Sequence, residues 1–100
     1  MDELWRYFND EYWNHFQMNV VGKELPKHLD FYNKIKDDGL FEDDICQALA
    51  SLSASMFKDN LNNYEIWLKK KIPAFDNYTP AEISSLPNGM NWIREYIVRF

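Results

Sequence analysis

Ile45, Leu49, Leu52 and Met56 repeat at i, i+4, i+7 and i+11, and the positions around them are held small by Ala48, Ser51, Ser53 and Ala54. That spacing is the period of an α-helix with one apolar face. Small flanks let neighbouring helices approach closely, so the segment about 42–58 is expected at the centre of a helical fold. Glu42, Asp43 and Asp44 fall in its first turn, where carboxylates favour the positive end of the helix dipole.

Other stripes surround it. Trp5, Phe8, Tyr12 and Phe16 predict a helix over 3–17, broken by Val20-Val21-Gly22. Pro26 fits the first turn of a helix reaching residue 37, with Leu29, Tyr32 and Ile35 or Lys36 along one side and Gly39 ending it. Asn60 can cap a helix over 61–71 carrying Leu61, Tyr64, Trp67 and Leu68. After an irregular stretch over 72–78, Thr79-Pro80-Ala81-Glu82 has the form of a capping box with proline at N1. It opens a short helix holding Ile83 and Leu86. Pro87-Asn88-Gly89 then turns the chain into a last helix, 89–99, with Ile93, Tyr96, Ile97 and Phe100 on one face. Strand-like alternation never exceeds two or three residues. The expectation is an all-α fold, a single domain over 1–100 of about five or six helices.

Composition removes several classes of function. With 46% hydrophobic and 17% aromatic residues, the chain is too apolar for a disordered tail. Cys46 is the only cysteine, so no intrachain disulfide can form. No apolar run approaches the ~18 residues of a membrane span, and Met1-Asp2-Glu3-Leu4 lacks a signal-peptide pattern, so a cytoplasmic location is expected. The net charge is −5, and residues 1–44 hold eleven acidic against five basic side chains. An acidic front half argues against direct nucleic-acid binding, which needs a basic face to displace counterions.

Catalytic patterns are missing. His15 and His28 lie in separate segments without metal-ligand spacing, and Gly39 falls in the wrong place for Asp37, Asp38, Glu42, Asp43 and Asp44 to form a calcium loop. No nucleophile elbow, phosphate loop or dinucleotide motif is present. Cys46 adjoins the core residue Ile45 and is expected to be a buried thiol. Asn77-Tyr78-Thr79 is a glycosylation sequon that matters only in a secreted protein. Lys69-Lys70-Lys71 fits a helix C-terminus. No enzymatic activity, cofactor or metal is expected. Aromatic residues exceed core needs: Tyr7 and Trp13 point away from the Trp5–Phe16 stripe, as interface anchors or because the helix is buried on two sides.

The order Trp67-Leu68, Pro73, Phe75, Thr79-Pro80-Ala81-Glu82-Ile83, Leu86, Asn88-Gly89 and a closing helix with Ile93 and Ile97 resembles the Xre/MbcA/ParS toxin-binding domain. The resemblance covers about residues 61–100, and its matching positions are Trp67, Leu68, Thr79, Pro80, Glu82, Leu86, Gly89 and Ile93. It implies an antitoxin whose last two helices and preceding loop dock on a cytoplasmic toxin, commonly a RES-fold enzyme that consumes NAD. The partner-binding residues then expected are Trp67, Phe75, Tyr78, Glu82, Trp92, Tyr96 and Phe100. Two features depart from the family. Phe75-Asp76-Asn77-Tyr78 replaces its usual glycine-rich loop, and residues 1–60 hold no basic recognition helix. A second interface is expected from Tyr7, Trp13, Asp37, Asp38, Asp43 and Asp44. It would serve a homodimer, or an alternative function as a phage- or plasmid-borne acidic inhibitor of a host defence complex through DNA mimicry.

Overall fold

The computed structural model describes residues 10–100, and every regular element among them is helical. The Trp5 and Phe8 positions of the first stripe lie outside the described residues. Helix α1 (Asp10–Phe16) runs into a widened π turn, Gln17–Val21, then a single turn α2 (Gly22–Glu24) and a 3-10 turn, Leu25–Lys27. Gly22 was the expected stop, yet it is helical at φ −58°. The chain leaves helical geometry only at His28 (φ −134°, ψ 35°), after Pro26 has removed a backbone donor. The π turn carries the chain past its two β-branched valines, buries Val21 and packs against α4.

Helix α3 (Leu29–Asp38) therefore starts three residues later than Pro26 suggested, and its buried face is Phe31 and Ile35. Leu29, an expected core residue, is exposed. Gly39 ends α3 in the left-handed conformation (φ 69°) and returns its N–H to the Lys36 carbonyl.

The expected central helix is central but broken. Helix α4 (Asp43–Ser51) ends at Leu52 (φ −100°, ψ 12°), and α5 (Ser53–Phe57) continues at a new angle. Ile45, Cys46, Ala48, Leu49, Ala50 and Ser51 are all buried, so α4 can meet α3, α8 and the π turn at once. The kink rotates the end of the stripe. Leu52 and Met56 are half-buried, and Phe57 takes the core position instead.

Helix α6 (Leu61–Leu68) begins at Asn60, whose side chain accepts the Asn62 N–H, and it stops before the lysines expected to prolong it. A 3-10 turn at Pro73–Phe75 leads to α7 (Pro80–Ile83) and α8 (Gly89–Arg99). Because two expected helices are broken, the described residues hold more helical segments than five or six. The radius of gyration, 12.6 Å, is that of a compact chain, for which about 13 Å is typical at this length.

Between α7 and α8 the backbones touch. A Cβ on Gly89 would lie 1.8 Å from the Ile83 carbonyl oxygen, so only glycine fits this corner. No helix among the described residues is long and apolar enough to cross a membrane.

Candidate functional site

Two of the expected partner anchors are structural. Trp67 is buried within an aromatic cluster, its ring centroid 5.4 Å from Phe57 and 6.4 Å from both Tyr64 and Tyr96. Phe75 is fully buried, 4.8 Å from the half-buried Tyr96. These rings join α6, the 3-10 turn and α8 into one unit, so Trp67 and Phe75 hold the fold and do not face a partner. Trp92 is half-buried. The indole N–H groups of Trp67 and Trp92 are both buried without an acceptor among the described residues.

Tyr78, Glu82 and Phe100 do reach the surface, with Tyr78 41% and Phe100 58% exposed. Glu82 is engaged locally. Its Oε1 accepts the Thr79 N–H at 2.9 Å, and Thr79 Oγ1 accepts the Glu82 N–H at 3.1 Å. The backbone bond at Thr79, with the Thr79 hydroxyl, holds the Glu82 carboxyl below its usual range.

In the acidic half, Tyr7 lies outside the described residues. Trp13 is only 4% exposed, so of its two expected readings the structure shows burial and corrects its place in a second interface. A buried indole N–H usually finds an acceptor, and for Trp13 Asp44 supplies it: Trp13 Nε1 donates to Asp44 Oδ2 at 2.9 Å. Phe16 stacks on the ring at 5.6 Å and the Arg94 guanidinium lies over it at 5.8 Å. Helix α1 is therefore rotated from the sequence expectation. The off-stripe Trp13 faces inward between α4 and α8, and the stripe residue Tyr12 faces out.

The carboxylates are tied internally as well. Arg94 donates from Nε to Asp44 Oδ2 and from Nη2 to Asp44 Oδ1, both at 3.0 Å, and also to Glu42. Burial alone would raise the Asp44 carboxyl. The Arg94 bonds and charge, with the Trp13 indole, outweigh it and hold Asp44 low. Asp43 accepts Tyr32 Oη at 2.6 Å and Gln47 Nε2 at 2.7 Å, and pairs with Lys36. Asp38 accepts Lys34 Nζ at 2.9 Å and Tyr64 Oη at 3.0 Å. Only Asp37 of the four projects simply into solvent. The cluster is mostly a set of clamps from α3 and α4 to their neighbours.

One constellation was invisible in sequence. Ser53, His28 and Asp59 converge, with Ser53 Oγ 3.1 Å from His28 Nδ1 and donating to Asp59 Oδ1 at 2.9 Å. Their wiring is not a nucleophilic relay. Serine and carboxylate meet the same ring nitrogen, the serine proton goes to the carboxylate, and Ser53 is fully buried. The cluster fastens the turn before α3 to the end of α5. Cys46 is buried too, donating weakly to the Phe41 carbonyl, and burial pushes its thiol up to about 11. Among the described residues no group of three His, Cys, Asp or Glu side chains could hold a metal.

The concave feature best suited to binding is a groove of about 410 Å³ where α1 meets α8. Tyr12, His15, Phe16 and Val20 line one wall, and Val98 with the Glu95–Arg99 pair lines the other. Its volume is within the ~300–1,000 Å³ of ordinary ligand and side-chain pockets. Glu95, 5% exposed, keeps its carboxylate on the Arg99 guanidinium. Exposed Phe100 follows Arg99 at the end of α8. The arrangement offers apolar contact and one ion pair, and no proton relay.

No family model matches the chain, and neither a curated protein nor a solved structure is detectably similar to it.

Proposed function

We propose that this chain is a non-catalytic protein-binding module of the antitoxin type, acting in the cytoplasm by seating directly on a toxin enzyme. The observation that carries the reading is what the motif residues do. Trp67 anchors an aromatic cluster, Thr79 and Glu82 close a reciprocal cap, and Gly89 permits backbone contact with Ile83. Residues that resemble a family motif and also hold demanding structural positions support a shared scaffold more than a chance match of letters would. Among the described residues, surfaces open to a partner include the α1–α8 groove with Phe100, and the exposed side of the loop bearing Tyr78. The acidic alternative draws less support, because Asp38, Asp43 and Asp44 serve internal bonds.

The test is growth. Expressed with the product of the adjacent reading frame, the chain is expected to relieve growth arrest caused by that product. Tyr78→Ala with Phe100→Ala is expected to reduce the rescue without unfolding the protein. An adjacent product that is harmless alone, or that arrests growth equally in the presence of the chain, would remove the reading.

A further inference from the structure

Five cations among the described residues are paired with the protein's own carboxylates. Lys27, Lys34, Lys36, Arg94 and Arg99 each lie within 4.0 Å of one. Lys23, Lys58, Lys69, Lys70 and Lys71 are exposed and form no ion pair among the described residues; only the last three are consecutive, and Lys71 acts on Glu82 through its charge without a direct contact. The backbone of these three is fixed at both ends. Leu68 before them and Ile72 after them are buried, and the N–H groups of Lys69 and Lys70 return to the Ile66 and Trp67 carbonyls at 3.1 Å. The Ile72 N–H donates to the Tyr78 carbonyl at 3.2 Å, which brings the backbone of the exposed Tyr78 against the residue that follows Lys71. Ile66, one helical turn earlier, is 56% exposed. A single lysine is enough to complement the α6 dipole, so three exceed that need.

The charge of the whole chain narrows what could sit there. The net charge is −5. Duplex DNA carries one negative charge per ~1.7 Å, and an anionic membrane is an extended negative plane. Either would set its charge against the acidic remainder of the molecule. Screening acts over ~8 Å at physiological salt, so a compact group of carboxylates can meet the three lysines without that repulsion. Ile66 and Tyr78 favour an apolar or aromatic side chain beside those carboxylates.

We propose that Lys69, Lys70 and Lys71, flanked by Ile66 and Tyr78, form a docking surface for an acidic, aromatic-bearing segment of a partner protein. This rests on the reading of the chain as a protein-binding module and names the chemistry of the partner's surface. The probe is a synthetic peptide of sequence EEFEEL, titrated into the ¹⁵N-labelled full chain at low and high salt. Amide shifts confined to 66–72 and 78 are expected, with affinity falling as salt rises. Reversal of all three lysines (Lys69→Glu, Lys70→Glu, Lys71→Glu) is expected to weaken binding about ten-fold or more. Because these side chains are exposed and make no direct ion pair, that variant should keep its circular dichroism and lose little in melting temperature. The proposal is overturned if the peptide causes no shifts at millimolar concentration, if the reversed variant binds equally well, or if duplex DNA or phosphatidylserine vesicles bind the surface more tightly than the peptide. In the co-expression assay, full rescue by the reversed variant would discard this surface and leave the binding-module reading standing. Failure of the unmodified chain to rescue would discard the module reading instead.

Discussion

At residue scale, Gly89 and Cys46 give the sharpest tests of the packing. Gly89→Ala forces a methyl onto the Ile83 carbonyl oxygen, a backbone atom that cannot step aside. Overpacking of this kind costs about 1–3 kcal/mol, to be read from chemical denaturation. The Cys46 thiol, raised to about 11 by burial, is expected to resist iodoacetamide at pH 8 until the protein unfolds. Rapid labelling of the folded chain would contradict its place in the core. Cysteine burial was legible from its position beside Ile45 on an apolar helix face. The exposure of Tyr12 was not, and burial of Trp13 was only one of two readings, because periodicity counts aromatic rings alike. The choice between them was made by an acceptor 31 residues away, Asp44.

At the scale of elements, the strongest local signals survived and the long continuous ones did not. Thr79-Pro80-Ala81-Glu82 forms the reciprocal cap its letters announce, and α8 covers the 89–99 expected of it. Capping chemistry is decided within four residues, so the sequence displays it whole. Thr79→Ala is expected to cost ~1 kcal/mol of stability by thermal or chemical melting. The kink at Leu52 and the π turn at Gln17–Val21 have no comparable local mark. They lie where the chain meets several other helices at once. Lys58 follows the kinked helix with φ 54°, a strained conformation for a side-chain-bearing residue. Lys58→Gly is therefore expected to raise stability by up to ~1 kcal/mol, and a loss of stability would contradict that strain.

For the whole molecule, the acidic half is fastened to the C-terminal helix by Arg94, which reaches Asp44 across 50 residues of sequence. Asp44 is held low in the folded state, so its contribution is fully present above the ordinary aspartate value of about 3.9. It is lost as pH falls through the lower, folded value. Asp44→Asn is expected to lower stability at neutral pH and flatten the acid limb of a stability–pH curve; an unchanged acid limb would show that the bridge carries no such coupling. Sequence showed the charge asymmetry and the helical class, but not that Asp38, Asp43 and Asp44 are tied to internal partners or that a groove opens between α1 and α8. Both depend on the relative placement of distant helices. Binding remains the centre of the functional reading, and the direct measurement is light scattering after size exclusion of the purified chain mixed with the product of the adjacent reading frame. A single species at the combined mass, with that product's enzymatic activity suppressed, is the predicted result. Two independent species, with the enzyme fully active, would contradict it.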